Sequence, residues 1–265
     1  MTAITTNPMP SLPPGVPPIA PPLPGFIGRA LRAGWADFRA APAFGLLTGL
    51  AAVLAGWLLA GITVWSGHTF WLILAVFGFP LVAPLCALGT YEVSRRIGAG
   101  QDVSLSAVAA RLWAERMRQL PWLSMMIVVA LLFWFFLGHM IFALFLGLRP
   151  MTNIMSSVDV FLSVDGLMMF GLGSVVGGIF AMVLYAFCVL GLPLLLAREV
   201  DAMTAILTSA GHVRDNFVPM LSWAIVIVVL LFLAILPALL GLLIVLPWLG
   251  HASWHIYAQM ADGAR

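Results

Sequence analysis

Residues 198–257 read REVDAMTAILTSAGHVRDNFVPMLSWAIVIVVLLFLAILPALLGLLIVLPWLGHASWHIY. In the first part, Met203, Ile206, Leu207, Ala210, Val213 and Phe217 are spaced for one face of a helix that ends at Pro219. An uncharged tract then passes Pro237 and Pro247 and closes on Gly250-His251-Ala252-Ser253-Trp254-His255-Ile256-Tyr257. About 20 residues of helix cross about 30 Å of hydrocarbon, so a tract of this length crosses twice. The segment therefore reads as a membrane hairpin with an amphipathic helix along its inner edge.

The rest of the chain repeats that plan. Of 265 residues 63% are hydrophobic and only 8% charged, a balance that a soluble domain of this size does not tolerate. Residues 40–91, 119–148, 166–197 and 216–261 contain no Asp, Glu, Lys or Arg, and the first and last of these tracts are long enough for two crossings. The expected fold is all-α, a polytopic membrane protein with six transmembrane helices over about 43–64, 70–91, 122–148, 167–197, 219–236 and 238–257. The spans form three helical hairpins, with amphipathic inner-interface segments at 25–39, 103–120 and 201–217. Barrel strands are excluded, because these runs lack the in/out alternation of about ten residues that lipid-facing strands need.

Nine prolines before Gly25 forbid helix and sheet, so residues 1–24 are expected to form an extended, solvated, disordered tail; residues 259–265 make a short C-terminal tail. No basic segment with a short apolar core and cleavage site opens the chain, so the first span is expected to direct insertion. All twelve basic residues are Arg, a bias that points to a GC-rich bacterium. Cys86 and Cys188 lie within apolar runs and imply no disulfide framework. A net charge of +2 is too small for nucleic acid. Under six spans every Arg except Arg149 falls on one side, which places both termini in the cytoplasm.

Three times an amphipathic segment reaches a proline, Pro42, Pro121 or Pro219, and enters the membrane. Three times the returning helix carries one near its inner end, in Gly78-Phe79-Pro80, Gly191-Leu192-Pro193 and Leu246-Pro247. Gly45 and Gly49, four apart, permit a close helix contact, and Ser104 is placed to cap the second inner segment. Gly34-Trp35-Ala36-Asp37-Phe38, Gly78-Phe79-Pro80-Leu81, Gly191-Leu192-Pro193-Leu194-Leu195 and the closing octet at 250–257 resemble the DUF2189 family, bacterial integral membrane proteins of unknown function. That resemblance runs roughly from Phe26 to the C-terminus. It implies a membrane class and brings no activity with it.

No catalytic constellation is visible. No ionisable carboxylate or basic group lies at mid-membrane, as an ion-coupled pump would need, and an intramembrane protease lacks its nucleophile and base or paired aspartates. Glu92, Glu199 and Asp201 are expected to form ion pairs with Arg95, Arg96 and Arg198. His251 and His255, four apart, share a helical face, with Glu92, His212 or Glu199 as candidate third ligands; His68 and His139 fall at a similar outer depth. These histidine pairs are the only cofactor candidates, and no cofactor or metal is assigned. Arg29, Arg32, Trp35, Arg39, Arg95, Arg96, Trp113, Arg118, Arg214 and Trp254 are expected to meet lipid or a partner at the interface.

The leading expectation is a non-catalytic accessory or scaffold protein of the bacterial inner membrane, in contact with membrane lipids or a membrane protein complex. Two alternatives stay open. One is a channel or facilitator for a small neutral or amphiphilic solute, lined by Thr48, Ser174, Tyr185 and Ser222. The other is a haem- or metal-binding protein using paired histidines. A reporter fused after Arg96 or Arg198 is expected to read out in the cytoplasm; a periplasmic signal from either fusion overturns the topology.

Overall fold

A computed structural model describes residues 12–66, 87–115, 118–147 and 162–263. They are largely helical: α1 Phe26–Ala40, α2 Pro42–Ser66, α3 87–98, α4 Leu105–Glu115, α5 Leu120–Leu146, α6 Val164–Cys188, α7 Gly191–Ala197, α8 Ala202–Asp215, α9 Phe217–Ile235 and α10 Leu242–Asp262. Among the described residues there is no named strand, only an isolated bridge from Pro14 to Glu199.

Four of the expected spans are helices long and apolar enough to cross a membrane: α2, α5, the continuous stretch of α6 and α7, and α9. Most of the expected span 70–91 lies outside the described residues. The expected span 238–257 appears as α10, shifted to Leu242–Asp262, and it is not a helix of the same kind. Its second half carries His251, Ser253, His255 and Gln259, which lipid would not solvate and which pack against α1 and α3 instead. Gln259 receives the Arg29 Nε hydrogen bond at 3.0 Å, which anchors the helix past the expected boundary at residue 258.

The last helix is the axis of one half of the molecule. α1 and α2 both run antiparallel to it, since Arg29 meets Gln259, Gly34 meets Ala252, Gly45 meets Pro247, Gly49 meets Leu243 and Gly56 meets Leu239. A Cβ built on Gly34 would stand 2.5 Å from the Ala252 nitrogen, and one on Gly49 would stand 2.7 Å from Leu243 Cα and 2.9 Å from its carbonyl oxygen. Leu243 is the residue whose carbonyl loses its helical partner because position 247 is proline. The stripe of small residues in α2 thus does what its spacing suggests, bringing two backbones into contact where lipid supplies no hydrophobic drive. The α9–α10 turn meets α2 at Gly56 and Trp57, with Trp57 Nε1 donating to the Ala238 carbonyl at 2.7 Å. Ala238 and Leu239 hold φ of 51° and 71° in that turn, an unusual conformation for side-chain-bearing residues.

The other half is built on α5, α6, α8 and α9. Trp134 packs on Gly177 and on Phe180, at a ring separation of 6.0 Å, and the Tyr185 hydroxyl donates to the Met220 carbonyl at 2.7 Å. The expected break at Gly191-Leu192-Pro193 separates α6 from α7, and Ser209 Oγ accepts the Leu190 N–H there at 3.1 Å. Residues Gly191 to Leu196 are all buried, so this break sits in the core of the protein. Ser104 caps α4 as expected, accepting from the Ala107 N–H at 3.3 Å. On α4, Val108 and Arg111 are buried, whereas Leu105 and Trp113 face outward.

The Pro-rich segment is extended, but from residue 13 onward it is not a free tail. Glu199 N–H donates to the Pro13 carbonyl at 3.0 Å, Gly15 N–H to the Glu199 carbonyl at 3.2 Å, and Ala20 N–H to the Met260 carbonyl at 2.9 Å. Pro17 is buried and Ile19 packs on the core. Proline leaves its carbonyls available for such bonds while removing donors that would otherwise need partners.

Gly34→Ala is expected to lower stability by about 1–3 kcal/mol, because the atom it meets is helix backbone that cannot rotate away. Gly171→Ala, where a Cβ meets nothing within 4 Å, is the control and is expected to be neutral. Thermal unfolding in detergent compares the two.

Candidate functional site

The chemistry-bearing side chains of the described residues gather where α1, α3 and the second half of α10 meet. α1 contributes Asp37. Residues 30, 34 and 37 fall on one helical face, so Asp37 is buried while Arg29, Arg32 and Arg39 of the same helix are exposed. His255 Nε2 and Asp37 Oδ2 are 2.7 Å apart. Ser94 of α3 stands close enough to Asp37 to favour its charged form, and its Oγ lies 2.8 Å from His251 Nδ1. The result is a run of polar groups, from half-buried His255 to Asp37, Ser94 and fully buried His251, crossing three helices. Burial pushes the Asp37 carboxyl upward, but the hydrogen bond from His255, the nearby Ser94 and the imidazoles outweigh it and hold the group below the ordinary carboxylate range.

Two residues earlier on α3, Glu92 is fully buried. Arg95 donates to its two oxygens at 2.7 and 2.8 Å, and Arg96 Nε donates at 2.6 Å. A lone carboxylate in such a place costs several kcal/mol; two guanidiniums make it tolerable and leave one positive charge over. Those arginines open onto a cleft of about 730 Å³, whose walls also include Arg111, Arg198, Trp254, Tyr257, Asp102, Asp262, Leu12 and Pro13. Arg198 reaches the Tyr257 hydroxyl, and Arg111 Nη2 donates to the Leu196 carbonyl at 3.1 Å. Arg96 on α3 and Arg198, just after α7, therefore line one cleft.

Several sequence expectations land here and others separate. Glu92 pairs with Arg95 and Arg96 as expected. Asp201 does not pair with Arg198: it caps α8, accepting from Thr204 N–H at 2.9 Å and Thr204 Oγ1 at 2.6 Å. Glu199 joins the N-terminal strap through its backbone. His251 and His255 do share a helix, yet each imidazole turns to its own protein partner, so the structure does not bring them onto one ligand. His139 is exposed and its Nδ1 lies 2.9 Å from the Phe135 carbonyl; His68 lies outside the described residues. Among the described residues no three of His, Cys, Asp and Glu come together as a metal would require.

Of the expected interface residues, Arg29, Arg32, Trp35, Arg39, Trp113 and Arg214 are exposed, and Arg95, Arg96 and Arg118 are half-buried. Trp254 is the exception. It is buried, stacked near Tyr91 and Tyr257 at ring separations of 6.4 and 5.6 Å, because the aromatic end of α10 faces inward. Thr48 and Ser222 direct their hydroxyls to the carbonyls of Phe44 and Pro219 on their own helices, Tyr185 bonds to α9, and Ser174 is exposed, so these four do not line a common path. Sequence reasoning missed Ser94, Asp37 and Ser209 as core hydrogen-bonding groups. The helical register of Asp37 with Ala30 and Gly34 was the one available signal.

The family model described as predicted integral membrane protein (DUF2189) matches residues 72–197, in agreement with the family resemblance. That match includes the segments at 78–81 and 191–195 and stops short of those at 34–38 and 250–257. No curated protein and no solved structure matches the chain.

Asp37 binds its proton more weakly in the folded protein than in the unfolded chain, so its contribution is fully present above the ordinary carboxylate range and is lost as pH falls through the lowered value. Asp37→Asn is expected to cost about 2 kcal/mol at neutral pH and to flatten the acid limb of the stability profile. Unfolding midpoints measured from neutral pH down to pH 3 check both statements.

Proposed function

We propose that the protein is a non-catalytic, multi-pass component of the bacterial inner membrane, an accessory or scaffold that associates with a membrane protein complex or with lipid, its arginine-rich end toward the cytoplasm. One observation carries this reading: the helices fit to span are peripheral. In the most apolar window only 17% of α2, 11% of α5 and 17% of α9 is buried, against 44% of the stretch formed by α6 and α7. The packed core lies instead around α7, α8 and the second half of α10, at the end that bears the arginines.

Lipid tails are as apolar as leucine, so exposed aliphatic side chains carry no cost in a bilayer. The outward face of α5 is richer than that, presenting Trp122, Met125, Phe133, Phe136 and Met140. Aromatic and methionine side chains are the types enriched where proteins meet proteins. Asp37, Glu92, Ser94 and Ser209 are tied to other side chains or to backbone, which supports a structural role for them.

Purification in mild detergent tests the reading, together with a photo-crosslinking residue placed at Phe133 or Phe136. A stoichiometric protein or lipid is expected to accompany the chain and to be captured from those positions, and not from the buried Ala30. A solitary monomer retaining neither overturns the proposal.

A further inference from the structure

We infer that the cleft lined by Arg95, Arg96, Arg111 and Arg198 binds a phosphate-bearing anionic group. The inference deepens the lipid part of the proposed function and rests on that reading only for the source of the group. Four arginines from α3, α4 and the α7–α8 link line one cleft of about 730 Å³. Among the described residues, three carboxylates oppose them. Glu92 lies beneath, fully buried, with its oxygens already engaged; Asp102 and Asp262 stand on the exposed rim.

With Arg111 set aside, Arg95, Arg96 and Arg198 still outnumber Glu92 on the floor, and the exposed rim does not cancel that surplus. A guanidinium carries five N–H donors in a planar fork. The bonds described above take two from Arg95, both to Glu92, and two from Arg96, to Glu92 and to the Asp102 carbonyl. Donors are left on each, fixed in direction by the buried carboxylate. Planar donors held in advance around a recess are what a tetrahedral oxyanion selects, since little side-chain freedom is lost on binding. Trp254 and Tyr257 close one wall, and the strap at Leu12 and Pro13 closes another.

Two sources present this chemistry, an anionic phospholipid headgroup and a soluble phosphorylated small molecule. The full chain is placed in phosphatidylcholine nanodiscs, with or without phosphatidylglycerol, and bound lipid is read by native mass spectrometry. Inorganic pyrophosphate is titrated against the phosphatidylcholine discs by thermal shift. Arg198→Gln is expected to weaken binding about tenfold, the loss of one charge-assisted hydrogen bond. Asp102→Asn combined with Asp262→Asn, both at exposed positions that do not threaten folding, is expected to tighten it several-fold.

Retained phosphatidylglycerol that follows this order of variants supports the site and assigns it to lipid. A pyrophosphate response in the same order, without retained lipid, supports the site and counts against the lipid part of the proposed function. Binding of neither probe, or binding that the rim and floor variants leave unchanged, overturns the inference. Absence of a partner complex does not affect these outcomes, because only the purified chain is used.

Discussion

Polar side chains on the second half of α10 can be left neither to lipid nor unpaired, and most of the architecture follows from how they are met. Gly34 lets the α1 backbone lie directly on Ala252. At that separation Asp37 reaches His255, Trp248 Nε1 reaches the Leu31 carbonyl, and Arg29 reaches Gln259. α3 supplies the remaining partner through Ser94. A larger side chain at position 34 would part the helices and strand several buried groups together, which is why one contact without a polar atom governs so many hydrogen bonds.

The same constraint explains where the core sits. Apolar spans need no burial in a bilayer, so α2, α5 and α9 stand largely exposed, while the half of the molecule with charged and hydrogen-bonding side chains must pack densely. Glu92, His251 and Ser209 are all fully buried there, among Leu190, Leu194, Ile206 and Ile256. Burial and charge are therefore concentrated at one end: the arginines that neutralise Glu92 are also those that line the cleft.

Much of this was legible. Charge-free tracts marked four spanning helices, prolines 42, 121 and 219 marked the entries, Ser104 its cap, and the Gly45–Gly49 spacing a close contact. What failed did so for one physical reason: hydropathy says whether a segment suits lipid, not which side chain it will meet. Trp254 carries the aromatic signature of an interface and faces inward, and Arg111 reads as a polar-face residue and is buried against the Leu196 carbonyl. Asp37 looked like one charge among arginines until its register with Gly34 was matched to α10. The histidine pair was correctly placed on one face, but periodicity cannot reveal that each ring has a separate partner.

The segment around Pro13 to Ala20 is held by the backbone of Glu199 and of Met260. Those two anchors lie some 185 and 240 residues downstream. During synthesis, at about 5–20 residues per second, this segment waits many seconds for its docking surface to exist. The cleft therefore acquires its wall at Pro13 only once translation has passed Glu199, and the strap is complete only once it has passed Met260.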